Sequence, residues 1–189
     1  MRLLALDLGS KLGWALDVDG QVFSGTEDLA PMRSRRFDSP GMRYLRFAAK
    51  LYEWAPDRVV YEEVRRHLGV DAAHVYGGFL SHLQAYCDPK HLEYEGVPVA
   101  HIKRFATGKG NASKDQVIDA VKGLGFSPVD DNEADALALL ALAKIDMIKD
   151  TKNEGTNQET SGLGARPKPG QKKPKKPVAS LKRHRKGDI

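Results

Sequence analysis

The fold of this chain is decided by the stretch Leu3-Leu4-Ala5-Leu6-Asp7-Leu8-Gly9-Ser10, an apolar run that carries one carboxylate and ends at a glycine. A short apolar run bounded by glycine is typical of a buried strand. A carboxylate inside such a strand is costly to bury unless a cation neutralises it. Asp7 is therefore the first candidate site residue.

Two other acidic residues have the same character. Glu62 stands at the end of the run Val59-Val60-Tyr61, and Asp135 stands at the start of a very apolar helix. Three carboxylates set into otherwise apolar structure are what an oxygen-ligand site for Mg²⁺ requires. On spacing alone, three unrelated surface acids at the ends of strands and helices remain the alternative.

The hydrophobic periodicity predicts an α/β layout with a mixed sheet. Asp19-Gly20, between two alternating runs, indicates a hairpin. The last helix is apolar nearly all round, so we expect it to lie buried against the sheet, with Asp130 or Asp131 as its cap. The predicted strands are 2–8, 12–18, 21–26, 57–62 and 97–102; the predicted helices are 42–54, 72–87, 114–123 and a last one to about 149.

The charge is divided unevenly along the chain. Residues 1–149 hold 19 Lys and Arg against 21 Asp and Glu, whereas residues 150–189 hold 11 against 4. The body is thus near −2 and the tail near +7, which indicates an acidic partner such as nucleic acid. The tail also lacks the apolar residues that a core needs. We therefore expect a domain over 1–149 and a disordered basic tail over 150–189.

Cysteine use and hydropathy predict a cytoplasmic location. The single cysteine, Cys87, excludes an internal disulfide and is consistent with a reducing compartment. The first strand begins almost at Met1, which leaves no room for a signal peptide. No apolar run approaches the roughly 20 residues of a membrane span, so we expect no membrane partner.

Four segments resemble the RuvC family of Holliday-junction resolvases, within the ribonuclease-H-like nucleases, and the likeness covers residues 1 to about 148. In this sequence they read Leu6-Asp7-Leu8-Gly9-Ser10-Lys11, Tyr61-Glu62-Glu63-Val64, Gly108-Lys109-Gly110-Asn111-Ala112-Ser113-Lys114 and Asn132-Glu133-Ala134-Asp135-Ala136-Leu137-Ala138. The resemblance implies a ribonuclease-H-like fold: a five-stranded mixed sheet flanked by helices. It also implies a bacterial or phage-infected host cytoplasm.

The resemblance implies roles for five residues. Asp7, Glu62 and Asp135 would be metal ligands and catalytic residues. Asn132 would be a further ligand, because it falls where the family has Asp or His three residues before the last aspartate. Lys114 would lie near the scissile phosphate as a catalytic residue. The implied cofactor is a pair of Mg²⁺ ions, with Mn²⁺ as a substitute.

The resemblance also implies contacts to branched DNA, of which a four-way junction is the expected substrate. The family uses an aromatic residue in the loop after the fourth strand to open the junction, and Arg65 stands in that place here. Arg65 and Arg66 would bind backbone phosphates, and Lys109 and Lys114 would contribute from the glycine-rich segment.

A homodimer is implied as well, because a symmetric cut across four strands needs two active sites. The helix predicted over 72–87 contains the pair Gly77-Gly78. Glycine inside a helix costs about 1 kcal/mol, and a close approach to another surface would explain it. We expect this helix to form the interface.

The favoured function is a metal-dependent, structure-selective endonuclease that resolves Holliday junctions or other branched DNA by paired nicks. One alternative is another ribonuclease-H-like nuclease that acts on RNA, such as a YqgF-like enzyme. Another is a catalytically weakened protein that binds branched DNA, which Asn132 keeps open. A sugar-kinase-like phosphate loop at Asp7 and Gly9 is a further, weak option.

Overall fold

The computed structural model describes residues 1–158 except 33, 35, 67 and 68, and for 150–158 it describes the helix without its side chains. The strands are β1 (Arg2–Asp7), β2 (Lys11–Val18), β3 (Gln21–Asp28), β4 (Arg58–Glu63) and β5 (Glu93–Pro98). The helices are α1 (Met42–Trp54), α2 (Val70–Cys87), α3 (Val99–Thr107), α4 (Lys114–Gly123) and α5 (Asp131–Gln158). A short 3-10 helix, Asp88–Lys90, follows α2.

The five strands form one mixed sheet in the order β3-β2-β1-β4-β5. The first three are antiparallel, as the hairpin signal at Asp19-Gly20 predicts. β4 pairs with β1 in parallel, and β5 pairs with β4 in parallel. The predicted five-stranded α/β architecture is confirmed.

Side-chain alternation in β1 divides the core into two layers. Leu4 and Leu6 pack with residues of α1 and α2 on one face of the sheet. Leu3 and Ala5 pack on the other face, with residues of α3, α4 and α5. The apolar residues 136–140 of α5 are all buried there, as the sequence predicts. Asp7 continues the alternation of Leu3 and Ala5, so it belongs to the α5 face.

The predicted strand over 97–102 is wrong. The strand is Glu93–Pro98, and the chain enters α3 at Val99. Proline has no N–H for a sheet ladder, and its fixed φ suits the start of a helix. Ile102 is then buried one turn into α3. Val97 and Val99, both β-branched, made the segment resemble a strand.

The last helix is longer than predicted. It continues to Gln158 instead of ending near Lys149, so the first residues assigned to the tail extend it. The rest of the predicted tail, 159–189, lies outside the described residues, and the division into a domain and a disordered tail stays a prediction.

Two hydroxyls of β3 anchor the start of α5. The Ser24 hydroxyl donates a hydrogen bond to Glu133 (2.6 Å), and the Thr26 hydroxyl donates one to Asp130 (2.6 Å). Asp130 also caps the helix, because its carboxylate accepts a hydrogen bond from the Glu133 backbone N–H (2.9 Å). Of the two caps left open by the sequence, Asp130 is the one used.

Gly13 of β2 has no side chain, which lets α5 approach the sheet closely. A Cβ placed on Gly13 would lie 2.0 Å from the backbone carbonyl oxygen of Asn132, far inside any tolerable contact. Gly13 is the strand partner of Asp7 in β1. The first turn of α5 therefore rests directly on the sheet beside Asp7.

We expect Gly13→Ala to lower the free energy of unfolding by about 1–3 kcal/mol, because overpacking has this cost. For a domain of this size the melting temperature should fall by roughly 2–12 °C, measured by circular dichroism. The control is Gly123→Ala at the end of α4, where an added Cβ meets no atom within 4 Å; it should melt at or above the wild type, because alanine favours a helix over glycine. If both variants melt like the wild type, α5 does not depend on the bare backbone of Gly13.

Candidate active site

Two of the three predicted carboxylates lie at the same edge of the sheet. Because β1 and β4 are parallel neighbours, Asp7 and Glu62 stand at adjacent carboxyl ends. By alternation Glu62 shares the face of Val60, which packs in the α5 layer. Both carboxylates are half-buried and point toward α5.

Asp135 completes the cluster from α5, between the fully buried Ala134 and Ala136. Burial raises the pKa of Asp7 well above its ordinary value, and the charges of Glu62, Asp135 and Asp131 raise it further. The structure therefore brings together the three carboxylates named from the sequence. Their role as metal ligands stays a prediction.

Glu62 and Asp135 are perturbed in the same direction. Burial, and then the charge of Asp135, raises the pKa of Glu62 to about 7. Burial is also the main cause that raises the pKa of Asp135, against the opposing charge of Lys103. Burial is the largest cause of the raised pKa of all three carboxyl groups, and neighbouring carboxylates raise each pKa further. Such a cluster favours a positively charged occupant.

Lys103 is a site residue that the sequence reasoning missed. It lies one turn into α3, where its Nζ donates a hydrogen bond to the Ala112 carbonyl oxygen (3.0 Å). Its charge lowers the pKa of both Glu62 and Asp135, against the effect of their burial. The prediction of a strand over 97–102 hid it, since a helix starting at Val99 is what directs Lys103 toward the carboxylates.

Lys114 stands at the first position of α4 and forms an ion pair with Asp131 of α5. A capping box fixes this helix start: Ser113 accepts a hydrogen bond from the Gln116 N–H (3.3 Å) and its own N–H donates to the Gln116 side chain (3.0 Å). The hydrogen bond to Asp131 raises the pKa of Lys114, and Asp135 and Asp7 add to it. The predicted lysine thus lies at the cluster.

Asn132 lies beside the capping aspartate. Although burial acts the other way, hydrogen bonds from the Glu133 backbone, Thr26 and the Asn132 amide lower the pKa of Asp130.

Asp131, considered only as a cap in the sequence, is the residue whose charge acts on Asp7 and Asp135. Asp131 is therefore a fourth acidic candidate, four positions before Asp135 on the same helix face.

Three of the four predicted DNA-contacting residues lie on exposed loops, and the fourth, Lys114, is the first residue of α4. Arg65 and Arg66 follow β4 after Val64, and Lys109 lies between α3 and α4. The Arg65 guanidinium pairs with Glu63 (2.9 Å). Glu63 belongs to the opposite face from Glu62, as alternation predicts. Contacts from these cations to phosphate stay predictions.

The carboxylate oxygens of the cluster are of the donor type that Mg²⁺ takes in proteins. Among the described residues, no three His, Cys, Asp or Glu side chains are arranged to hold one metal ion together. Mg²⁺ usually binds through one or two carboxylates and keeps several waters. Asp7, Glu62 and Asp135 would hold such ions, with Asp131 or Asn132 in support.

The pKa shifts predict that the carboxylate cluster destabilises the metal-free protein at neutral pH. A carboxyl whose pKa is raised in the folded state binds its proton more tightly there than in the unfolded chain. Its stability contribution is full below pH 4.5, the ordinary pKa of Glu62, and is lost as the pH rises through about 7.

In EDTA at pH 8, Asp7→Asn should therefore melt about 2–4 °C or more above the wild type, the shift that 1 kcal/mol produces in a domain of this size. The difference should vanish below about pH 3.8, the ordinary pKa of Asp7, and Mg²⁺ should raise the melting temperature of the wild type. Asp119→Asn, an exposed acid of α4, is the control. An identical pH profile for all three proteins would contradict the mutual repulsion.

Comparison with known proteins gives a match at the level of structure. No family model and no curated protein sequence matches the chain. Thermus thermophilus RuvC in complex with a Holliday junction substrate superposes with a TM-score of 0.60 at 22% identity, covering 74% of this chain and 90% of that one. T. thermophilus RuvC in a second structure gives a TM-score of 0.55 at 22% identity, with the same coverage of both chains.

The yeast mitochondrial Holliday junction resolvase Ydc2 superposes with a TM-score of 0.50 at 15% sequence identity, covering 73% of this chain and 75% of that one. None of the described helices is long and apolar enough to cross a membrane. The structural likeness agrees with the family resemblance of the four sequence segments. The chain has the RuvC fold.

Proposed function

We propose that this chain is a Mg²⁺-dependent endonuclease that resolves four-way DNA junctions by paired nicks. The observation that carries the proposal is the cluster of Asp7, Glu62 and Asp135 at one edge of a RuvC-like sheet, with two lysines beside it. The similar T. thermophilus protein is described in complex with a Holliday junction substrate. Paired nicks need two sites related by symmetry, so the proposal includes a homodimer.

Each side chain of the cluster has a distinct task in this proposal. Asp7, central to the mutual repulsion, would hold the metal together with Glu62 and Asp135. Such ions, when bound, activate a water and stabilise the leaving oxygen. Lys114 would offset the charge that develops on the phosphate. Lys103, held by the Ala112 carbonyl, would keep Glu62 and Asp135 ionised for metal binding.

The dimer proposal depends on α2. A Cβ on Gly78 would lie 2.4 Å from the Tyr44 ring of α1, so packing within the chain accounts for that glycine. A Cβ on Gly77 would meet no atom within 4 Å. Of the predicted pair, Gly77 is the position that leaves room for a second copy of the helix.

We expect the full chain with Mg²⁺ to place two symmetric nicks in a labelled four-way junction and to leave duplex DNA and RNA intact. Asp7→Asn should lower the cleavage rate by about 100- to 10,000-fold, because several kcal/mol of transition-state stabilisation depend on the metal. Its junction affinity should stay within about twofold, far less than one tenfold step of 1.4 kcal/mol. Gel assays of cleavage and anisotropy of binding measure both.

Asp119→Asn is the matched control and should cleave like the wild type. Cleavage of RNA in preference to the junction would favour the RNA-processing alternative. Junction binding without cleavage by the wild type would favour the catalytically weakened protein. Equal loss of binding and cleavage in Asp7→Asn would remove Asp7 from the proposed metal site.

Variants of Asp131 and Asn132, which precede Asp135 in α5, should change the Mg²⁺ titration of cleavage in different ways. Asp131→Asn should move the midpoint to a higher concentration by about tenfold, the low end for a residue that supports metal ligands. Asn132→Asp should move it lower if the side chain at 132 reaches an ion. A midpoint that is unchanged in Asn132→Asp and shifted in Asp131→Asn would assign the supporting position to Asp131 alone.

A further inference from the structure

Phe37 is a large apolar side chain that is exposed to solvent. Its side chain lies in the segment between β3 and α1 and is 83% exposed to solvent. The guanidinium of Arg36 stacks over its ring, with Cζ 5.5 Å from the ring centroid. An aromatic ring with an adjacent guanidinium is a surface suited to stacking against a nucleobase.

Hydrogen bonds and an ion pair of Arg46 join the two ends of the segment between β3 and α1, although Phe37 within it is exposed. Arg46 of α1 donates hydrogen bonds to the carbonyl oxygens of Leu29 and Ala30, each 3.3 Å, and pairs with Asp38. The Asp38 side chain is only 3% exposed. It also accepts a hydrogen bond from the Met32 N–H (2.6 Å). One guanidinium thus joins the entry and the exit of the segment, directly beside Phe37.

The segment leaves the sheet at the edge where the carboxylates lie. Asp7 is opposite Gly13, which is opposite Thr26 of β3. β3 is two strand spacings from β1, or roughly 10 Å. β3 ends two residues beyond Thr26, so the chain enters the segment close to the cluster.

A second contact joins the segment to the turn after β1. The Leu29 N–H donates a hydrogen bond to the Ser10 carbonyl oxygen (2.8 Å), and Arg43 of α1 donates one to the Ser10 hydroxyl (3.1 Å). Ser10 is three residues beyond Asp7. These two hydrogen bonds tie the start of the segment and the first turn of α1 to the turn that follows Asp7.

We propose that Phe37, with Arg36 stacked on it, is a base-stacking residue that binds an unpaired or unstacked nucleobase of branched DNA next to the cleavage site. The inference rests on the proposed function in taking DNA as the substrate. Bases inside a regular duplex are covered by their neighbours, whereas bases at a branch point offer a free face. Phe37 therefore adds affinity for the branch and none for the duplex.

The test compares junction and duplex affinity of the full chain in the Asp7→Asn background, which prevents cleavage. Phe37→Ala should weaken junction binding by about 5- to 150-fold, the range measured for a base stacked on an aromatic ring. Duplex binding should change by less than about twofold, since no stacked base is lost there. Fluorescence anisotropy gives both constants.

Three further proteins separate stacking from other roles. Phe37→Trp should keep or strengthen junction binding, whereas Phe37→Leu, equally apolar but not aromatic, should resemble Phe37→Ala. Phe23→Ala removes another exposed phenylalanine, 46% exposed near the opposite end of β3, and should bind like the parent. A 2-aminopurine at the branch point should be quenched by the parent and by Phe37→Trp, and less by Phe37→Ala.

Several results would overturn the inference. Equal weakening for duplex and junction would assign Phe37 to general binding or folding. Full affinity in Phe37→Leu would assign it to apolar contact, and a changed molecular mass with unchanged junction affinity would assign it to a protein interface. If the wild type cleaves junctions while Phe37→Ala binds them normally, only the stacking role fails. If the parent does not bind junctions, both proposals fail.

Discussion

The contact between the bare backbone of Gly13 and the carbonyl oxygen of Asn132 is the constraint on which the site depends. It allows the first turn of α5 to lie on β2 without an intervening side chain. Two hydroxyls of β3 then fix the rotation of the helix about its axis, since Ser24 binds Glu133 and Thr26 binds Asp130. Asp131 lies in that turn and Asp135 one turn later, so their position relative to Asp7 follows from main-chain packing rather than from flexible side chains.

The charge distribution at this edge works against folding and for ion binding. Burial raises the pKa of Asp7, Glu62 and Asp135, which means that their ionised forms are costly in the folded protein. Lys103 and Lys114 offset part of this cost. Residual repulsion of this kind is typical of functional sites, because a core selected only for stability would not retain it.

Much of the architecture could be predicted because local signals agreed with the fold. The apolar run around Asp7, the Asp19-Gly20 turn and the apolar stretch 136–143 of the last helix each act over a few residues, and the structure confirms them. Pro98 was misjudged because its neighbours Val97 and Val99 favour a strand, whereas the proline ring ends one.

No local sequence signal marks Lys103 or Asp131, the two candidate site residues that the sequence analysis did not identify. Lys103 has no motif, and its proximity to Glu62 depends on where α3 starts. Asp131 is adjacent to two other polar residues, and only the pairing with Lys114 across two helices distinguishes it. Long-range packing chooses among neighbouring polar residues, and one sequence alone does not reveal that choice.

The parallel pairing of β1 with β4 has a consequence for how the protein is made. The two strands are joined through a long crossover that contains β2, β3 and α1, and α5 follows still later. Pairings between distant segments form slowly, because the loop between them must close first. During synthesis the carboxylates emerge separately, and the last of them appears only when most of the domain has left the ribosome. An incomplete chain therefore has no assembled cluster, and the proposed cleavage would begin only after the final helix has docked.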